Sequence, residues 1–258
     1  MPVAAAAACA LALATPPQTP PAAAVGAVTL TVDSLGYAPG DPKPGDGVCG
    51  DGAGTCTLRA AIEEGNAQAV DTTVAITVED GLAGAIIPPS GAAEWMATKK
   101  PTAIDVGAYY WITHTMAIDL DNRLGVQAGA ESLTAAKAGG AGFWVDAPGV
   151  ELKNFTDIFA SESSIVFSAG SRGSSLVGGS SVQRVNNATD RMVVISPGAN
   201  DITIRDYTMG RMTSDGGYAG GIVISSLGTQ AKTDSISNLT IDHVTIDNSP
   251  LAAKDGCQ

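Results

Sequence analysis

The chain has 258 residues, 45% of them hydrophobic and only 5% aromatic. That composition excludes a fully disordered polymer and favours thin layers of small and β-branched side chains over a bulky core. Its 14 basic residues stand against 26 acidic ones, a net charge of -12 with no run of Lys or Arg. This excludes a nucleic-acid partner and fits solubility in an extracellular medium; a functional reading of the acidity is Ca²⁺ use or repulsion from anionic surfaces.

Residues 1–27 carry no charge, and an apolar run from Val3 to Ala14 is followed by a Pro-rich stretch. This is the pattern of a signal-peptide-like leader, with small-residue cleavage options at Ala22, Ala24 or Ala27, although the expected positive start is missing. The run is too short to span a bilayer, so the mature chain is expected to have no membrane span. Cys9 falls in the leader, and Cys49, Cys56 and Cys257 then remain. Cys49 and Cys56 enclose six residues, three of them glycines. They can form a disulfide in an exported protein, and closing so small a loop contributes about 2–3 kcal/mol. Two cysteines do not make a four-ligand zinc site.

Residues 28–35, VTLTVDSL, alternate apolar and polar side chains and predict a strand. Residues 36–55 are rich in Gly, Pro and Asp and predict a loop. In CTLRAAIEEGNA (56–67), Thr57 is a helix N-cap. Leu58, Ala61 and Ile62 share one face, Arg59 and Glu63 are four apart and pair, and Gly65 with Asn66 supplies a stop. A helix of two turns over 57–65 is not stable alone and must lie against something.

From about residue 116 short β runs recur. ELKNFTDI (151–158), SLVGGSSV (175–182), TIRDYTM (203–209) and TIDHVTI (240–246) align, and before them stand GFWVDAPG, SIVFSAGS, MVVISPGA and GIVISSLG. The anchors Leu152, Leu176, Ile204 and Ile241 are 24, 28 and 37 residues apart, and Leu124 suggests an earlier copy within 116–129. Repeats of this length, three β runs to a unit with no helix between, predict an all-β right-handed parallel β-helix, a solenoid with one apolar side chain per strand pointing inward. The longest interval reflects a loop inserted at 226–236. The helix over 57–65 is then a short N-terminal cap that covers an otherwise open, apolar end, with the Cys49–Cys56 bridge holding its entry loop.

The stretch TVDSLGYAPGDPKPGDGVCGDGAGTCTLRAAIEEGNA (31–67) resembles the CSLREA domain, an N-terminal module of secreted bacterial proteins that is often followed by a pectate-lyase-like β-helix. The resemblance rests on the TVDS strand, the GDGVC turn and Cys56-Thr57-Leu58-Arg59-Ala60-Ala61-Ile62. Thr57 stands where the family has Ser and Ala60 where it has Glu, which removes a charge. The resemblance implies export and a secreted or cell-surface location, without a defined reaction. The expected organisation is a leader over 1–27, a CSLREA-like cap over 28–70 and a β-helix over 71–258, read as the N-terminal part of a longer protein.

Candidate sites are few. Asp41, Asp46 and Asp51 recur every five residues in a flexible loop, as hard oxygen ligands for Ca²⁺ or as ordinary turn residues. Asn154, Asp206 and His243 occupy matching positions in the aligned units, with Gly178 in the fourth. They form either a polar ladder of bend residues or, with Arg205, Arg211, Asp215 and Asp242, the makings of a lyase site in which Asp clusters bind Ca²⁺ and a basic residue abstracts a proton. Tyr109 and Trp111, in YYWITH (109–114), are expected on one strand face beneath the cap, or as a sugar-stacking surface together with Trp95 and Trp144. Asn154, Asn187 and Asn238 begin glycosylation-type triplets. No nucleophile elbow, P-loop or His-Glu-x-x-His is present. The reading that follows is a secreted or surface β-helix module for adhesion to a polysaccharide, surface glycan or protein; the alternative is a polysaccharide lyase or glycoside hydrolase on the same scaffold.

Overall fold

The structure, a computed structural model, describes residues 26–36, 40–50, 52–86, 110–127, 141–155, 158–159, 163–183, 191–211, 220–224 and 235–250. Among these it is all-β with one helix, and all its paired strands run parallel. Strand β1 (Ala27–Val32) precedes helix α1 (Leu58–Asn66). Then come β2 (Thr73–Val78), β3 (Gly84–Ile86), β4 (Tyr110–Ile112), β5 (Met116–Asp119), β6 (Leu124–Gln127) and β7 (Ala141–Val145). The rest are β8 (Glu151–Phe155), β9 (Ile158–Phe159), β10 (Ser163–Phe167), β11 (Ser175–Gln183), β12 (Arg191–Ile195), β13 (Thr203–Arg205), β14 (Thr208–Arg211), β15 (Gly220–Ile224), β16 (Thr240–Asp242) and β17 (Thr245–Pro250).

The long sheet has the order β1-β2-β5-β8-β11-β13-β16, with β14 pairing β11 and β17; a second runs β15-β12-β10-β7-β4 and a third β3-β6-β9. Apart from β1 and β2, β13 and β14, and β16 and β17, strands next to each other in the chain sit in different sheets, and each strand pairs with its counterpart in the next unit. Register follows from the apolar pattern, because a slip of one residue would turn every inward side chain out. Leu30, Ile76, Ile118, Leu152, Leu176, Ile204 and Ile241 form one in-register column. The anchors Leu152, Leu176, Ile204 and Ile241 are thus aligned as the sequence predicts.

Two expectations change. The earlier copy is present, but its anchor is Ile118; Leu124 instead pairs with Gly84 in the third sheet. Asp121 and Asn122, both with positive φ, lengthen the bend there and shift the pattern. The second sheet also departs from one inward side chain per strand. In β7, β10 and β12 residues of both faces are buried, with Phe143 and Val145 on one side and Trp144 on the other. Strands covered on both faces carry continuous apolar runs, and FWV, IVF and VVI are such runs.

Helix α1 packs against the first strands. Thr57 Oγ1 accepts the Ala60 N–H at 3.0 Å, and Leu58, Ala61 and Ile62 are buried in one cluster with Leu30, Val32 and Val74. Arg59 Nε meets Glu63 Oε1 at 2.8 Å. The stop lies later than predicted. Gly65 and Asn66 are inside the helix, and Ala67 is the C-cap. Gly65 is there for closeness, since a Cβ at that position would stand 3.0 Å from Met116 Cε and 3.1 Å from Val74 Cγ1. Asn66 reaches across to the second sheet, donating to Trp111 O at 2.7 Å and accepting the Thr113 N–H at 2.8 Å.

The preceding loop is tied to the helix. The Cys49–Cys56 disulfide is formed, with the Cα atoms 5.3 Å apart. Asp33 Oδ1 accepts the Cys56 N–H at 2.7 Å. Glu64, fully buried, accepts the N–H groups of Gly45 at 2.5 Å and Gly47 at 2.6 Å, and the side-chain amide of Gln68. The loop's backbone donors thus end on a carboxylate that the helix supplies.

Candidate functional site: the outward face and bends of the long sheet

Strand alternation turns every second residue of the long sheet outward. One outward row runs Thr29, Ala75, Ala117, Glu151, Ser175, Thr203, Thr240. Beside it lie Asp119, Lys153, Val177, Arg205 and Asp242 in register. The face therefore carries small hydroxyl residues, three apolar ones (Ala75, Ala117 and Val177) and, from β5 onward, charges of both signs. Neighbouring strands lie about 4.8 Å apart, so the seven-stranded path spans roughly 29 Å.

Two rows of left-handed residues frame this face. Asn154 (φ 55), Gly178 (φ 71), Asp206 (φ 54) and His243 (φ 48) form the first, at the positions that the sequence aligns. The left-handed region costs most side chains about 1–2 kcal/mol, and Gly, Asn and Asp tolerate it best. Gly149 (φ 65), Gly173 (φ 71), Asp201 (φ 60) and Asn238 (φ 55) form the second, two residues before each strand. Sequence reasoning missed this second row, though its spacings of 24, 28 and 37 repeat those of the anchors.

Side-chain bonds between units run along both rows. Asn154 Nδ2 donates to Asp119 Oδ1 at 2.9 Å, and Asn238 Nδ2 to Asp201 Oδ1 at 2.7 Å. Arg172 Nε donates to Asp201 Oδ2 at 2.8 Å. The Asn238 amide first, and then the Arg172 guanidinium, hold the Asp201 carboxyl below its usual range. Two of the glycosylation-type asparagines thus have their amides occupied, and Asn187 lies outside the described residues. Asn154, Gly178, Asp206 and His243 thus share one left-handed bend position in successive units.

The four catalytic candidates come together. Arg205 is in register with Asp242, the Asp206 N–H donates to Asp242 O at 3.1 Å, and His243 Nδ1 lies 2.9 Å from Asp242 Oδ1. All four are exposed. Proton abstraction calls for a base held in reach inside a dry, shaped site; these groups stand exposed to solvent at the bends after β13 and β16. Arg211 closes β14, and Asp215 lies outside the described residues.

The loop aspartates are turn residues. Asp41 Oδ1 accepts the Lys43 N–H at 2.8 Å and Asp46 Oδ1 the Val48 N–H at 3.0 Å, each two residues on. This is the Asx-turn use of aspartate. Asp51 lies outside the described residues, and among the described residues no group of three His, Cys, Asp or Glu is placed to hold a metal ion.

Of the aromatic cluster, Tyr110 is the buried member. Tyr110 and Ile112 are the inward residues of β4, while Trp111 is turned to the other face, in register with Trp144. The Tyr110 ring stacks on Phe143 with centroids 5.2 Å apart, and Phe143 meets Phe155 in a tilted pair at 5.0 Å. Burial pushes the Tyr110 hydroxyl far above its usual ionisation range, against a smaller lowering by Arg59. Tyr109 and Trp95 lie outside the described residues.

No helix among the described residues is long and apolar enough to cross a membrane. Set against models of known protein families, curated proteins and solved structures, the chain gives no match.

Proposed function

We propose that the chain is an exported, CSLREA-like, right-handed parallel β-helix whose outward long-sheet face binds an extended polymer, a surface glycan or a protein strand, at the cell surface. Three parallel sheets in which each strand pairs with its counterpart one unit on support the solenoid. The Cys49–Cys56 disulfide fits an oxidising compartment. The observation that carries the binding role is the in-register outward surface from β1 to β16, made of Thr, Ser and charged residues and interrupted by Ala75, Ala117 and Val177. A flat, repeated surface makes many shallow contacts with a repeating ligand, and no single contact needs to be strong.

The experiment is a binding screen of the purified chain against immobilised polysaccharides and surface extracts, followed by Lys153→Ala/Arg205→Ala and Thr203→Ala/Thr240→Ala. Loss of binding with unchanged circular dichroism is expected. Retention by both double variants refutes the assignment to this face.

A second reading, a polysaccharide lyase or glycoside hydrolase, is favoured by one observation, the meeting of Arg205, Asp206, Asp242 and His243 on one bend. Release of unsaturated uronate or reducing ends in the presence of Ca²⁺, abolished by Asp206→Ala, would establish it.

A further inference from the structure

Among the described residues, β15, β16 and β17 each pair on one side alone, with β12, β13 and β14 respectively. An isoleucine on each strand continues a column of the core. Ile241, Ile246 and Ile224 are 50%, 49% and 59% exposed, whereas their in-register partners Ile204, Met209 and Ile195 are fully buried. Below those partners the columns stay buried, through Leu176 and Leu152, through Ser181, and through Phe167 and Val145. The side-chain columns that make the core thus run out into solvent at this edge. A Cβ at Gly221 of β15 would stand 2.6 Å from Ile246 Cδ1, so the ends of two sheets adjoin there.

The backbone is open in the same place. The Thr240 N–H donates to Ile202 O at 2.9 Å, and Asp242 O accepts the Asp206 N–H at 3.1 Å. In a parallel ladder alternate residues bond to opposite neighbours, so the N–H and C=O of Ile241, between them, point away from β13 to the open side. The Thr245 N–H donates to Tyr207 O at 2.9 Å, which turns Ile246 the same way in β17. An edge that joins unpaired backbone groups to apolar side chains is a template for a further strand.

What fits the edge is read from the interface that the chain repeats between its own units. Ile204 lies beside Ile241, Arg205 beside Asp242 and Met209 beside Ile246. We propose that this edge takes up, by parallel β-addition, a strand segment of another polypeptide with the same pattern. It places an aliphatic side chain over Ile241 and a basic one over Asp242, where opposite charges in adjacent strands attract. A residue that tolerates the left-handed bend follows over His243 (φ 48), and a second aliphatic one over Ile246. A second copy of this chain fits less well. A two-fold contact between like edges reverses strand direction, whereas the strands here pair parallel, and each copy brings a net charge of -12. The edge is separate from the outward face of the long sheet, since its ligand extends the sheets and does not lie across them.

The probe is a fluorescein-labelled peptide of residues 203–211, TIRDYTMGR, titrated with the full chain and followed by anisotropy. Saturable binding is expected. It should weaken by roughly tenfold or more with Ile241→Ser/Ile246→Ser in the chain, with Ile204→Ser/Met209→Ser in the peptide, and with a scrambled peptide, because each removes the apolar burial at the edge. Sedimentation velocity of the chain alone is expected to show a monomer. Absence of saturable binding overturns the proposal, as does equal binding of the scrambled peptide or binding that ignores the chain variant. A dimer that Ile241→Ser/Ile246→Ser dissolves gives the edge to a second copy and overturns it too. If circular dichroism shows that the chain variant does not fold, the two altered peptides decide.

Discussion

Glu64 offers the sharpest test of how the N-terminal cap is held. Glu64→Ala removes the acceptor of three donors, the Gly45 and Gly47 N–H groups and the Gln68 amide, around a side chain with no exposed surface. A hydrogen bond to a charged group contributes about 1.5–3 kcal/mol. Gly45 and Gly47 are exposed and the Gln68 amide can swing out, so water can re-pair these donors and the expected loss is about 1–3 kcal/mol. Glu63→Ala is the comparison. Glu63 binds Arg59 and the Asp41 N–H from a partly exposed position, where such contacts are worth about 1 kcal/mol or less. With the disulfide intact the loop stays tethered at Cys49, so the loss reads out as native-state exchange at Gly45 and Gly47 as well as in urea unfolding. If Glu64→Ala unfolds within 0.5 kcal/mol of wild type, or costs no more than Glu63→Ala, the carboxylate does not organise the loop.

Three further outcomes follow from the same geometry. Gly179→Ala is expected to be severe, about 3 kcal/mol or more, because a Cβ there would stand 2.2 Å from Phe155 O at φ +88; Gly47→Ala, at φ +83 with nothing within 4 Å, should cost only its backbone strain of about 1–2 kcal/mol, and thermal unfolding compares the two. Ile204→Ala, in a fully buried link of the inner column, is expected to cost about 2–5 kcal/mol, whereas Ile241→Ala, at 50% exposure in the next link, should cost less than half as much by urea titration. Asn238→Ala should move the Asp201 titration back up, since Asn238 is the largest cause of its lowering; the Asp201 contacts favour the fold above the ordinary carboxylate range and are lost as pH falls through the lowered value, which carboxyl-carbon NMR follows directly.

Much of this architecture was legible because apolar spacing and bend chemistry report on the same register. Leu152, Leu176, Ile204 and Ile241 mark the inner column, and Asn154, Asp206 and His243 sit at its left-handed bend, so the two signals reinforce each other. Leu124 misled because the Asp121–Asn122 bend lengthens its unit, and the eye follows leucine where the sheet follows Ile118. The role of Glu64 was hidden because its partners are backbone N–H groups, which carry no residue identity; only two glycines in the loop and a glutamate beside buried Gly65 hinted at it. Arg205, Asp206, Asp242 and His243 were chosen by residue type and do converge, but their exposure depends on which way a bend faces, and residue type does not report that.

The helix that covers the first strands is joined to partners far along the chain: Asn66 to Trp111 and Thr113, and His114 to Ala69. In a chain that emerges N-terminus first, α1 can at first pack only on Leu30, Val32 and Val74; its bonds to Trp111, Thr113 and His114 wait until those residues have appeared, and an isolated helix of this length does not persist in water. The beginning of the molecule is thus completed late. The last fastening of α1 is therefore timed by the connection between β4 and β5 and not by the strands on which it first packs.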